Sequence, residues 1–396
     1  MAEIVKEEAS SYTKFITSAN GGLLWLEDLT NTVMTSKYNP FYYHGALPQF
    51  YLWVLFLSGL LLFAYYIPTV DSAYLSVATI NAYTSVQYIN DNLPFGAVVR
   101  AIHRYSGDAM VITIVLHAIR VWFTDRYRQY RWLQWLTGVL LLLMVLFIGQ
   151  TGYYLVWDER SLVLTRMTVA ALGALPFVGP FLKGWFLNGP SISNLTMSNF
   201  LFIHIGLSFS LLSGLWLHYV RMTRPVMTPP PAINYVLVAL VLIVVFIYPV
   251  TSGKPAVLNA MPSSFDMDYF FLFPYWIMSQ VGAEAYWVIA IGATVALCLV
   301  PMPWAFLTKT APINSAEVLL NKCVGCNFCA FDCPYQAIEM VPAPASSRFK
   351  LLATVLPYRC SGCGVCVGAC AYDAIDLPDL LDTDVKARIE KISAGK

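Results

Sequence analysis

The chain has 396 residues, of which 58% are hydrophobic and 12% charged, and its mean hydropathy is +0.61. That composition excludes an ordinary soluble globule and indicates a polytopic membrane protein. The net charge of +1 offers no basic surface for nucleic acid and nothing to attract an acidic substrate.

In chain order, the opening MAEIVKEEASSYTKF mixes acids and bases and has no apolar signal core, so it reads as an uncleaved cytosolic start. Leu23, Leu24, Trp25, Leu26 and Leu29 then suggest an interfacial helix. Six apolar stretches long enough to cross a bilayer follow: Leu47–Ile67, Phe95–Phe123, Leu133–Tyr154, Asn199–Val220, Ile233–Val250 and Tyr286–Val300. Arg126, Arg128 and Arg131 lie in one connection, Arg221 and Arg224 in another, and Lys309 follows the sixth stretch. These mark the cytoplasmic side, and an even helix count places both termini there. The opposite loops, 155–198 and 251–285, are long, partly apolar and rich in proline. They either roof a pocket for a lipid-soluble substrate or act as interfacial helices that seal the bundle. After Trp304 the composition changes abruptly, and 312–396 has no spanning segment.

Four of the five histidines form two pairs, His103 with His117 and His204 with His218, each 14 residues apart inside an apolar run. Fourteen residues bring a helix back to within about 40° of the same face after a rise of roughly 21 Å. Ionisable residues in a membrane are costly and usually functional. Two such helices side by side would clamp two stacked hemes through neutral imidazoles, whereas simple packing does not explain the repeated spacing. The glycines repeat the period: Gly45 and Gly59 lie 14 apart, as do Gly138 and Gly152, and glycine permits close approach to a flat macrocycle. Arg104 and Arg120 lie near two of the histidines, to pair with heme propionates or simply to snorkel.

Eight of the nine cysteines stand at metal-ligand spacing near the C-terminus. Cys323, Cys326, Cys329 and Cys333 form one CxxCxxCxxxC run, followed by Pro334. Cys360, Cys363, Cys366 and Cys370 form a second, which lacks the proline. This is the two-cluster ferredoxin pattern, in which the fourth cysteine of each run ligates the other cluster. One [4Fe–4S] cluster would use Cys323, Cys326, Cys329 and Cys370, the other Cys360, Cys363, Cys366 and Cys333. Two complete runs of this kind favour iron–sulfur over zinc. The ninth, Cys298, reads as a packing residue.

The stretches AIHRYSGDAMVITIVLHAIRVW, LTGVLLLLMVLFIGQTGYYLVWDE and LTMSNFLFIHIGLSFSLLSGLWLHYVR resemble cytochrome b of the quinol-oxidising bc/bf complexes. The short chloroplast-type form is most similar, also over LGALPFVGPFLKGW. The resemblance covers about residues 38–225. It implies that His103 and His204 hold a lower-potential heme on the non-cytoplasmic side and His117 and His218 a higher-potential heme near the cytoplasm. Gly59 and Gly152 would pack on the first heme, Gly45 and Gly138 on the second. It also implies a Rieske-type iron–sulfur protein and a c-type cytochrome as partners, and a dimer.

The sequence departs from that family in three places. Met267-Asp268-Tyr269-Phe270 stands where the family has Pro-Glu-Trp-Tyr, so Asp268 is either a shortened quinol base or a loop aspartate without chemistry. Val156-Trp157 replaces the family's Pro-Trp, which puts the quinol pocket in question. Tyr43-His44-Gly45 carries no cysteine for a covalent heme; His44 is an interfacial histidine or a contact to a cytoplasmic-side quinone or iron.

The expected fold is an all-α polytopic membrane bundle of about six helices, the first four a heme-binding four-helix bundle, plus a small C-terminal α+β ferredoxin-like domain. The expected divisions are an interfacial segment 1–37, the di-heme bundle 38–225, two further helices with a quinone-site-like loop 226–311, and the ferredoxin domain 312–396. The expected role is the cytochrome b subunit of a quinol/quinone oxidoreductase in a bacterial or archaeal cytoplasmic membrane. Its contacts would be lipid, quinone and a cytoplasmic electron donor or acceptor, with the ferredoxin domain on the cytoplasmic side. The alternative is a non-catalytic electron-conducting anchor of a larger reductase or dehydrogenase complex.

Overall fold

A computed structural model describes residues 38–70, 80–123, 132–220, 227–260, 268–299 and, apart from seven scattered positions, 315–377, together with Tyr127 and parts of 21–34. The orienting Arg126, Arg128, Arg131, Arg221, Arg224 and Lys309 lie outside the described residues, as do Leu24, Pro334 and Cys363.

A 3₁₀ turn, Pro40–Tyr43, is capped by Asn39, whose side chain accepts from Phe41 N at 2.9 Å. The membrane part is then built from α1 (Ala46–Phe63), α2 (Ala82–Asn92), α3 (Gly96–Phe123), α4 (Trp132–Val156), α5 (Glu159–Gly173), α6 (Gly179–Leu187), α7 (Asn194–Tyr219), α8 (Pro231–Ile247), α9 (Tyr269–Val281) and α10 (Ala283–Leu299). Helices α1, α3, α4 and α7 have 18 to 28 residues and are apolar enough to cross a membrane. Helices α8 and α10 have 17 residues each, about 25 Å, which is shorter than a hydrocarbon core of about 30 Å. The six expected crossings therefore all fall on helices, of which α8 and α10 are the two shorter ones among the described residues.

Helix α1 packs along α3 and α4 along α7, giving two close pairs. Helix α8 buries Ile233, Leu237, Val241 and Val245, a stripe at four-residue spacing, and packs on α3. No residue of α10 is buried, so its apolar surface suits lipid rather than water. Cys298 packs beside Tyr127, Trp135 and Val139, the packing role expected of it.

The opposite-side connections are more structured than loops. Helices α5 and α6 fill 159–187, and α9 occupies part of 251–285 with Pro274 inside it. Asp158 caps α5 by accepting from Ser161 N at 2.9 Å and also from Gly253 N at 3.0 Å. This zips 253–256 onto 157–159, supported by the Glu159 N to Lys254 O bond at 2.8 Å. Trp157 beside it is buried with a φ of 55°.

The C-terminal unit contains β1 (Glu317–Val318), α11 (Phe328–Asp332), β2 (Ile338–Pro342), β3 (Leu351–Val355), α12 (Val365–Ala369) and β4 (Ile375–Asp376). Strands β1 and β4 pair antiparallel, as do β2 and β3. The order is one duplicated unit, a cysteine loop followed by a short helix and a strand. The backbone repeats too: Gly325 and Gly362 have positive φ two residues after the first cysteine of each run, and Asn327 and Gly364 four residues after it. A Cβ on Gly325 would stand 2.2 Å from the Leu351 carbonyl oxygen, so only glycine fits there.

Candidate redox centres

The ring centroids of His103 on α3 and His204 on α7 lie 6.3 Å apart, with the ring planes tilted 56° to each other. Two metal–imidazole bonds of about 2 Å, plus about 1.1 Å from each nitrogen to its ring centre, sum to about 6.2 Å. The two imidazoles thus stand at the separation of axial ligands on one iron.

Each of the four histidines rests against one of the 14-spaced glycines. A Cβ built on Gly59 would meet His103 Cε1 at 3.1 Å, and on Gly152 it would meet His204 Cε1 at 3.5 Å. On Gly138 it would meet His218 Cε1 at 3.3 Å, and on Gly45 His117 Cε1 at 3.5 Å. The glycines therefore seat the imidazoles themselves, within each close helix pair: α3 against α1 and α7 against α4.

Hydroxyls that sequence reasoning missed orient three of these rings. His103 Nδ1 lies 3.0 Å from Ser58 Oγ, His204 Nδ1 2.9 Å from Thr151 Oγ1 and His218 Nδ1 3.0 Å from Thr137 Oγ1. Each hydroxyl already donates its own proton to its helix: Ser58 to Val54 O at 2.7 Å, Thr151 to Ile148 O at 2.6 Å and Thr137 to Leu133 O at 2.8 Å. The hydroxyl oxygen is left as an acceptor, so Nδ1 must carry the proton and donate it. Nε2 then keeps its lone pair for a metal. The sequence signal was present, since Ser58, Thr137 and Thr151 each directly precede one of the glycines. At the fourth glycine His44 precedes Gly45; it is buried, and its ring centroid lies 5.1 Å from that of Phe41.

Arg120 Nε donates to Glu27 Oε1 at 2.7 Å. Arg104 pairs with two carboxylates, Asp108 and Asp268, and donates to the Tyr153 hydroxyl at 2.7 Å. Both arginines thus have carboxylate partners among the described residues. Asp268 is not a bare loop residue: it caps α9 by accepting from Phe270 N at 2.9 Å, and it also accepts from Tyr153. The Phe271 ring fills a notch at Gly149, where a Cβ would come within 2.3 Å of it.

In the C-terminal unit two small pockets are lined by sulfur. One is lined by Cys323, Cys326, Cys329 and Cys370, the other by Cys333, Cys360 and Cys366. The fourth cysteine of each run faces the other run's cavity. Backbone amides point at the sulfurs symmetrically: Ala337 N donates to Cys333 Sγ and Ala374 N to Cys370 Sγ, both at 3.3 Å. Burial pushes the Cys329 thiol up to about 11, so iron binding there displaces a proton.

Residues 29–225 match the cytochrome b/b6/petB family, and 322–374 match the 4Fe-4S dicluster domain. Cytochrome b6 of Prochlorococcus marinus is 30% identical over 213 residues, 52% of this chain and 93% of that protein. The menaquinol:cytochrome c reductase cytochrome b subunit of Geobacillus thermodenitrificans is 31% identical over 184 residues, 46% of this chain and 78% of its own. A solved hyperthermophilic respiratory Complex III chain shares the fold, with a TM-score of 0.54 at 18% identity over 71% of this chain and 82% of that one. The family carries b-type heme and the dicluster domain carries [4Fe–4S] clusters, groups that suit the seated imidazoles and the sulfur-lined cavities. The chain is a membrane-bound electron-transport protein of the cytochrome b/b6 family that also carries a 4Fe-4S dicluster ferredoxin domain.

Proposed function

We propose that this chain is the cytochrome b subunit of a quinol:cytochrome c reductase-type complex, carrying electrons between a quinone site, two b-type hemes and two [4Fe–4S] clusters. The observation that carries the reading is the 6.3 Å separation of the His103 and His204 rings, each seated on a glycine and oriented by a hydroxyl. In this reading His103 and His204 hold the lower-potential heme through Nε2, and His117 and His218 hold the higher. Cys323, Cys326, Cys329 and Cys370 hold one cluster, and Cys333, Cys360, Cys363 and Cys366 the other. The metals supply one-electron chemistry when bound. The protein excludes water, fixes the tautomer of His103, His204 and His218, and brings backbone close to the heme seats.

At the quinol end Asp268 takes one of the two quinol protons, the other being released to water, and Tyr153 orients the carboxylate. The electrons leave singly, one toward a Rieske-type protein and a c-type cytochrome, the other through the hemes toward the ferredoxin domain, which this reading places on the cytoplasmic side of the membrane. Residues 226–311 complete the quinone site, and two copies form the working dimer. A His204→Ala variant tests the assignment: the reading requires loss of one b-type optical signal with the other retained. Loss of neither would overturn it.

A second reading is a non-catalytic electron-conducting anchor. It is favoured by the tie of Asp268 to Arg104 and by Val156-Trp157 in place of Pro-Trp. Quinol oxidation that survives Asp268→Asn removes Asp268 as base and favours this second reading.

A further inference from the structure

Asp108 lies in the interior of membrane helix α3, one turn beyond Arg104, and binds Arg104 Nη1. Asp268 binds Nη2 of the same guanidinium and receives the Tyr153 hydroxyl. One cation thus serves two carboxylates, whose side chains are only 23% and 20% exposed. Among the described residues, the other charged or titratable groups around them are Tyr105, whose hydroxyl donates to the Tyr248 carbonyl, and Arg160, whose Cζ lies 6.0 Å from the Tyr153 ring centre. His103 precedes Arg104 on α3. A carboxylate inside a membrane helix is costly and needs a reason.

We propose that Asp108 is a positioning residue for proton transfer to Asp268: it shares Arg104, so the guanidinium keeps a counter-ion when Asp268 accepts the quinol proton. The inference rests on the reading of Asp268 as the quinol base. An aspartate that owns an arginine alone holds protons weakly, by one to three pH units. Sharing the guanidinium with Asp108 relieves that. When one quinol O–H bond breaks with loss of one electron to an acceptor, its proton goes to Asp268, and Arg104 keeps Asp108 as its counter-ion. No buried cation is left unpaired at any point.

The test measures duroquinol oxidation by the intact complex against pH, with heme content measured optically. Oxidation requires the base unprotonated, so the rate rises with pH through an acid limb. In Asp108→Asn, Asp268 is the one carboxylate left on Arg104 among the described residues. The acid limb moves down by about one pH unit and the plateau rate falls about three- to tenfold. Asp108→Glu restores both. An acid limb that stays in place in Asp108→Asn at normal heme content overturns the inference. If Asp108→Asn loses heme, Asp108→Glu decides: a profile shifted no differently from wild type supports the role, and loss of oxidation overturns it. Asp268→Asn separates the two ideas, because unchanged oxidation in that variant removes the base itself and the inference with it, whereas lost oxidation there with an unmoved limb in Asp108→Asn overturns the inference alone.

Discussion

Replacing Thr151 with valine removes a hydroxyl and little shape from a fully buried position. His204 Nδ1 donates to two acceptors, Thr151 Oγ1 at 2.9 Å and Ile148 O at 3.1 Å. The variant loses the first and keeps the second, so the ring stays seated on Gly152 with a weaker acceptor behind it. The net loss is part of a hydrogen bond, about 0.5–1 kcal/mol. A weaker acceptor makes the imidazole a less electron-rich ligand, which disfavours the ferric state. If the whole difference falls on that state, the potential rises by about 20–40 mV, since a tenfold change corresponds to about 59 mV for one electron. A potentiometric titration that follows the two heme optical bands reads this directly. One heme should move up by that amount and the other should stay within error. Movement of both hemes, of neither, or of one downward would refute the orienting role of the hydroxyl.

The glycine seats should fail in order of their clearance. Gly59→Ala, facing His103 at 3.1 Å, should lose more heme on purification than Gly152→Ala, facing His204 at 3.5 Å; equal retention would contradict the seating geometry. Gly149→Ala places a methyl 2.3 Å from the Phe271 ring, which carries the start of α9 with Asp268. Quinol oxidation should drop at least tenfold with both heme spectra intact, as expected of a misplaced reacting group. Cys370→Ser should abolish the EPR signal of the cluster held by the first cysteine run and spare the other; the reverse pattern would refute the crossed ligation.

Much of this was legible in the sequence because it is periodic. Histidines and glycines at a shared spacing of 14 residues read as matching seats before any helix is placed, and the two cysteine runs carry their own ligand logic. The missing parts depend on which helices become neighbours. Ser58, Thr137 and Thr151 look like ordinary membrane hydroxyls bonded to their own helix, as each in fact is. Only the packing of α1 on α3 and of α4 on α7 brings their free lone pairs to the histidines. Asp108 carried no motif, and its pairing with Asp268 joins residues 160 positions apart through Arg104. Helix α9 was hidden by Pro274, which marks a loop in most contexts. Here Asp268 supplies the cap that starts the helix despite it.

The central claim is that one chain holds both kinds of iron. Mössbauer spectroscopy of the purified, iron-57-enriched protein tests it directly. The account predicts low-spin, bis-imidazole heme iron alongside tetrahedral cubane iron, with about four cluster irons for each heme iron. A spectrum with heme iron alone, with cluster iron alone, or with high-spin heme lacking a second imidazole would contradict it.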